Sequence, residues 1–522
     1  MFRKKKFMSG MVVAVIASLL ISTIALAAQG AVWTSAGGNR QNTRFQQAEN
    51  KLSTANIGTL TTKWAFTTDG DVSATPAVDG DTVYFPDWAG NLYAVDKLTG
   101  ALKWKVSIGA SSGVLFDKAR ATPAVTEDKV IIGTQGSIFA PGGGPGGKVL
   151  AFNKFTGALL WSTQADTNYA AIITQSATVF DNKVYVGVAS QEEALAAFVP
   201  GYKLSFRGSM LALDLDTGAI LWKTYMAPGG YTGNAVWGSS PAIDTKRGQV
   251  YIATGNNYSV PDDVLACVSA AGNDPAAQSA CLPADDHFDS ILALDLKTGA
   301  IRWATRAIPF DAWTVACIFE MPTCPNPSGP DYDFGQAPAL FTVKPGGQDK
   351  PIDLVGAGQK SGQYWALNPD TGAVVWVTQA GPGGTAGGLQ WGSAVDGSHV
   401  YTANANSNLV PWPDLSGPTS GVWSALDAVT GQVLWQTRPP DGGSTSGPVT
   451  TANGLVFGCS LDPQGHMYAL DAATGAVLWS FASGGSCLSG AAISNGMLYW
   501  GSGYSNFGFG YPNNKLYAFG LP

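Results

Sequence analysis

Apolar positions along the chain recur in one fixed phrase. In MYALDAATGAVLW, ending at Trp479, apolar residues alternate on both sides of a D-x-x-T-G turn. That pattern predicts a β-hairpin, with the glycine supplying a positive φ. NLYAVDKLTGALKW ends at Trp104, KVLAFNKFTGALLW at Trp161 and SMLALDLDTGAILW at Trp222. SILALDLKTGAIRW, QYWALNPDTGAVVW and WSALDAVTGQVLW bring the complete copies to seven.

A looser phrase precedes each hairpin. It runs through SATPAVDGDTVYF, RATPAVTEDKVIIG, QSATVFDNKVYVG, SSPAIDTKRGQVYIATG, QAPALF with DLVGAG, GSAVDGSHVYTANA, SGPVTTANGLVFG and SGAAISNGMLYWGSG, eight in all. A unit is then a short inner strand, a turn, an apolar strand and the hairpin. Four short antiparallel strands make a propeller blade, and eight such units predict an all-β, eight-bladed β-propeller. The last unit stops at KLYAFGLP without its T-G-x-x-x-W, while IGTLTTKW, ending at Trp64, supplies a lone outer strand near the start. Pairing the two closes the ring and removes two open edges. The tryptophan after each T-G turn is expected to pack between blades and carry no chemistry.

Composition refines this reading. Gly 65 and Pro 30 suit a turn-rich all-β chain. Arg3, Lys4, Lys5 and Lys6, an apolar run from Met11 to Leu26 and the Ala25-Leu26-Ala27 site read as a signal peptide over residues 1–27. An uncleaved anchor is the alternative, although the run is short for a membrane span. Residues 28–522 then form a single propeller domain, periplasmic or secreted, with no stable membrane insertion after cleavage. Removing the four basic residues takes the net charge from −7 to about −11. That balance argues against nucleic acid and suits a basic electron-carrier partner. The six cysteines can pair in fifteen ways. Proximity favours Cys267 with Cys281, Cys317 with Cys324, and Cys459 with Cys487. There is no C-x-x-C-H for haem attachment, and the three scattered histidines argue against a zinc site or a Ser-His-Asp hydrolase.

The repeat A-x-D-x-x-T-G-x-x-x-W resembles the tryptophan-docking motif of the quinoprotein alcohol dehydrogenases, across essentially the whole mature chain. Trp33 to Gly37 followed by ANIGTL, and VWGSSPAIDTKRGQVYIATGNN, are similar to further signatures of that family. GPDYDFGQAPAL, GAGQKSGQYWALNPDTG and WGSAVDG resemble its polyvinyl-alcohol dehydrogenase subfamily most. The resemblance implies a propeller holding pyrroloquinoline quinone and Ca2+ on its axis. Functional residues should then sit just before or within the looser phrases.

By that resemblance Arg120 grips a cofactor carboxylate, a pairing that suits a planar guanidinium. Thr174 donates a hydroxyl and Trp237 forms the aromatic floor under the quinone. Glu192, with Glu193 as the fallback, and Asn256 supply oxygens to calcium. Lys360 stands where relatives place an arginine near the quinone oxygen, and Trp391 walls the pocket. The catalytic base is split between two fragments. In PFDAWTVAC, Thr314 replaces the family aspartate and Asp311 is a candidate; in PDYDFG, Asp331 is preferred narrowly over Asp333. Two departures stand out: Ser73 replaces a glutamate that contacts the cofactor, and no adjacent Cys-Cys pair floors the ring.

The implied activity is oxidation of secondary alcohols, polymeric ones such as polyvinyl alcohol among them, to ketones. Electrons would pass to a separate acceptor such as cytochrome c. The alternative is a non-catalytic propeller scaffold for binding or assembly in the cell envelope, which would keep the docking repeats without the axial set.

Overall fold

The computed structural model describes residues 31–346, 350–412 and 419–522; the expected signal segment 1–27 lies outside them. Eight antiparallel sheets, each built on four consecutive strand positions, stand around a common axis. The innermost strands are Ala77–Asp79, Ala124–Val125, Thr178–Phe180, Ala242–Asp244, Ala339–Val343, Ala394–Val395, Thr450–Ala452 and Ala492–Ser494, which define blades 1 to 8. Blades 3 and 6 each carry one further short strand, Ala171–Ile172 and Gly388–Leu389. The second strand of a blade is covered on both faces by its neighbours. Leu455–Cys459 is therefore a continuous apolar run, buried throughout, while the outermost strand Leu102–Ser107 buries Trp104 and exposes alternate residues.

Each D-x-x-T-G corner closes in the same way. In blade 1, Asp96 Oδ1 accepts from the N–H groups of Leu98 and Thr99 at 3.0 and 2.9 Å, and from Thr99 Oγ1 at 2.9 Å. Gly100 completes the turn at φ 72°. The tryptophan that follows lies over the turn glycine of the next blade. Trp222 Nε1 donates to the Leu296 carbonyl at 3.2 Å, and a Cβ on Gly299 would come within 2.5 Å of its ring. A larger residue cannot stand there without displacing the indole.

The ring closes between the chain ends. Thr61–Thr67 pairs antiparallel with Lys515–Gly520, setting Trp64 opposite Ala518 as the outer strand of blade 8. Trp64 then docks on Gly100 of blade 1, and Trp479 of blade 7 donates to the Leu60 carbonyl at 3.2 Å. The N-terminal segment also crosses the axis. Its main chain between Trp33 and Gln46 bonds to Val78, Val125, Ile243, Leu340, Val395 and Thr451, on the innermost strands of six blades, and Gln46 Nε2 reaches Ile493 of blade 8 at 2.9 Å. Residues 33–46 thereby close one end of the axial channel. The loops preceding the innermost strands surround the other.

All three expected disulfides are formed: Cys267–Cys281, Cys317–Cys324 and Cys459–Cys487. Among the described residues, no helix is long and apolar enough to cross a membrane.

Candidate active site

Arg120, Thr174, Trp237 and Trp391 stand three to five residues ahead of the innermost strands of blades 2, 3, 4 and 6. The propeller brings these loops together at the axis. All four residues line one chamber of about 580 Å³, together with Glu193, Asp333 and Lys360. A second lobe of about 280 Å³ continues past Trp237 to Trp313 and Asp331. Six of the ten distinct expected site residues line the main chamber, and Asp331 lines the adjoining lobe.

The aromatic pair is held rigidly. Trp237 meets Trp391 edge to face, with centroids 5.2 Å apart and rings at 76°. Thr174 Oγ1 donates to the Trp237 carbonyl at 2.9 Å, so this hydroxyl fixes the indole's main chain. Trp391 has φ 64°, a left-handed conformation that costs a non-glycine residue about 1–3 kcal/mol. Arg120 has no carboxylate within ion-pair distance among the described residues; its guanidinium lies 4.3 Å from the Trp391 ring centroid.

Three charged residues form the polar centre. Lys360 Nζ lies 2.8 Å from Asp331 Oδ1 and 3.1 Å from Asp333 Oδ2. Burial opposes the lysine's charge, but Asp331, Asp333 and Glu193 together hold it protonated above the usual lysine range. Asp333 is saturated further: Oδ1 accepts from the Asn256 N–H at 2.7 Å and Oδ2 from Trp237 Nε1 at 3.0 Å. Asp331 accepts only from Lys360 among the described residues, and it is held at φ 60°. Burial drives its pKa well above the ordinary value, against the pull of Lys360.

Asp311 is placed behind this centre. Its carboxylate accepts from the N–H groups of Asp331 at 3.2 Å and Tyr332 at 2.8 Å, so it shapes the loop that presents Asp331. Burial, opposed by these bonds, lifts it to about 7. The sequence reading missed Asp289, which is fully buried with no donor to either carboxylate oxygen among the described residues. Burial first, and then the charge of Asp311, raise its pKa well above the ordinary value.

Glu192 and Glu193 open the helix Glu192–Phe198 and point in different directions. Consecutive helical residues are about 100° apart around the axis, so one short helix aims only one of the pair into the chamber. Glu192 is turned away. Its carboxylate accepts from Asn168 Nδ2, Tyr202 Oη, Ser205 N, Ser205 Oγ and Phe206 N at 2.9–3.1 Å, and it is fully buried. Glu193 lines the chamber and makes no hydrogen bond among the described residues; burial, then the charge of Asp333, pushes it up to about 8. Glu192, the residue expected to bind metal, thus faces the protein interior, and its neighbour faces the cavity. Asn256 Nδ2 donates to the carbonyls of Asn257 and Trp313, with no donor on its amide oxygen among the described residues. Ser73 Oγ accepts from Trp88 Nε1 at 2.8 Å.

This donor set fits a flat, anionic quinone: an aromatic wall, a guanidinium without a counter-charge, a clamped lysine and room for a tricyclic ring. It fits a hard cation less completely. Among the described residues, no three His, Cys, Asp or Glu side chains are grouped to hold a metal unaided. Glu193 and Asn256 offer oxygens of the right kind, and the remaining ligands would have to come from the cofactor.

Tryptophan-jointed blades around such a chamber are the arrangement expected of the quinoprotein dehydrogenase class. The family described as "Outer membrane protein assembly factor BamB" matches residues 26–142, 61–305 and 360–519. A polyvinylalcohol dehydrogenase from Sphingopyxis sp. (strain 113P3) is 31% identical, covering 91% of this chain and 72% of its own. A second from Pseudomonas sp. is 29% identical over 91% and 73%. The crystal structure of quinohemoprotein alcohol dehydrogenase from Comamonas testosteroni superposes with a TM-score of 0.69 over 95% of this chain and 81% of that one; at 19% identity this speaks for the fold alone. The chain belongs to the quinoprotein alcohol dehydrogenase family, alongside its polyvinylalcohol dehydrogenases, and is an oxidoreductase.

Proposed function

We propose that the protein oxidises secondary alcohols, polymeric ones such as polyvinyl alcohol included, to ketones, using pyrroloquinoline quinone and Ca2+. The observation that carries this reading is the convergence of Trp237, Arg120, Lys360, Asp331, Asp333 and Glu193 on one axial cavity. When bound, the quinone supplies the hydride acceptor and calcium the Lewis acid.

The chain's own residues do the rest. Arg120 grips a cofactor carboxylate and Trp237 presents its face to the ring. Glu193 takes the cation-binding role first expected of Glu192, with Asn256 beside it. Asp331 accepts the hydroxyl proton. One observation favours it over Asp333: among the described residues its carboxylate has a single partner, whereas that of Asp333 is held by three donors. Lys360 keeps the two aspartates from repelling each other and would offer a positive charge to a quinone bound in the chamber. Exposed Phe116, Phe139 and Phe507 at the mouth suit the apolar backbone of a long-chain alcohol. The negative net charge after signal removal favours a basic acceptor such as a cytochrome c, and the three disulfides favour an exported, periplasmic or secreted setting.

The description of the matched family favours a second reading, a scaffold for assembly in the envelope. A scaffold has no need of a buried charge cluster, which costs stability. Dye reduction with secondary alcohols, after adding quinone and Ca2+ to the purified chain, separates the two. Asp331→Asn is expected to lower kcat about 10²–10⁴-fold while quinone binding persists. Undiminished turnover in that variant removes Asp331 as the base; a chain that binds no quinone is a scaffold.

A further inference from the structure

Beside Trp391 lies a smaller cavity of about 50 Å³ that shares Arg120, Thr174 and Trp391 with the main chamber and adds Arg44, Thr75 and Ser176, to which the proposed reaction gives no role. One water occupies roughly 10–15 Å³ on this measure, so the space suits an ion-sized occupant and is far too small for a tricyclic ring. Its lining is one-sided in chemistry. Arg44 and Arg120 contribute guanidinium groups, several hydroxyls surround them, and among the described residues no carboxylate lines the cavity.

Arg44 comes from the N-terminal segment and is 2% exposed. Its Nη2 makes one long bond to the Trp391 carbonyl at 3.4 Å, while Nε and Nη1 have no partner among the described residues. No carboxylate lies within ion-pair distance of it among the described residues. Clearance around it depends on glycine: a Cβ on Gly392 would come within 2.3 Å of Nε, and one on Gly490 within 3.1 Å of Nη1. The hydroxyls keep donors in reserve. Thr75 Oγ1 accepts from the Gly490 N–H and Ser176 Oγ from the Thr122 N–H, which leaves both O–H groups free to donate. Burial without a counter-charge pulls the Arg44 guanidinium down to about 9, a penalty that a bound anion would relieve.

We propose that this cavity binds one small anion, a halide or a single carboxylate group, between the Arg44 guanidinium and the hydroxyls of Thr75 and Ser176. The inference stands apart from the quinone reading because Arg44, Thr75 and Ser176 take no part in the proposed oxidation, although Arg120 lines both spaces. Both occupants share the chemistry of a compact negative charge taking N–H and O–H donors.

The test uses the full-length, cofactor-free chain. Its melting temperature is measured in sodium chloride, in sodium bromide and in sodium 2-(N-morpholino)ethanesulfonate, a bulky anion without a carboxylate, at equal ionic strength. Halide is expected to raise the wild-type value by about 2 °C or more relative to the sulfonate, and Arg44→Gln is expected to abolish the difference. If that variant does not fold, Thr75→Val combined with Ser176→Ala keeps the guanidinium and should shrink the shift. A bromide soak of wild-type crystals should give an anomalous peak at Arg44. Repeating the melts with quinone bound tells the sources apart: a lost halide response identifies a cofactor carboxylate as the occupant, and a retained one identifies a free ion. Equal halide shifts in wild type and Arg44→Gln, or no bromide in the cavity, would overturn the proposal and leave water there.

Discussion

Glu192 and Glu193 are neighbours in sequence and live in opposite environments. Glu192 ties the helix start to Ser205 and Phe206, whereas Glu193 looks into the chamber. The pair therefore makes a clean contrast. Glu192→Gln turns an amide NH2 toward backbone donors and should cost about 1–3 kcal/mol of stability, read as a lower urea midpoint, with quinone affinity kept. Glu193→Gln should leave the midpoint within about 0.5 kcal/mol and weaken the Ca2+ requirement of activity instead. A Glu192→Gln enzyme that stays fully stable while losing its metal response would restore the original assignment. Family likeness chose Glu192 with Glu193 as the fallback, whereas the phase of a short helix turns Glu193 toward the chamber. Asp289 and Arg44 left no local signal at all. Each matters because distant segments bury it, and nothing in HFDSILALD or NTRFQQ announces that.

At the scale of elements, the joint between blades is a tryptophan, a glycine and a carbonyl repeated around the ring. Trp222→Ala should cost about 3–5 kcal/mol. Gly299→Ala should also destabilise, because it adds a left-handed penalty of about 1–2 kcal/mol and a methyl group driven into the same indole. The two changes remove one contact, so the double variant should lose clearly less than the sum, measured by urea unfolding. Strict additivity would mean that the two residues do not form one joint. These elements were legible from sequence because alternation, the Asp-capped turn and the tryptophan all repeat with the same spacing. The inserted loop with Cys317 and Cys324 resisted such reading. It interrupts the repeat where the family's aspartate would fall, and only the folded loop makes Asp311 the support and leaves Asp331 the freer carboxylate.

Over the whole molecule, closure was readable before the chamber was. A lone outer strand near one end and an unfinished hairpin at the other require each other, and Thr61–Thr67 does pair with Lys515–Gly520. The residues gathered inside belong to loops far apart in the chain, and their distances from one another follow only from eight blades meeting at one axis. The most direct test is a calorimetric titration of pyrroloquinoline quinone, in Ca2+, into the cofactor-free chain. One quinone should bind per chain with quenching of tryptophan fluorescence, and Trp237→Ala should weaken binding about tenfold, as expected for loss of an aromatic face. No binding, or binding indifferent to Trp237 and Glu193 alike, would contradict a quinone seat on the propeller axis.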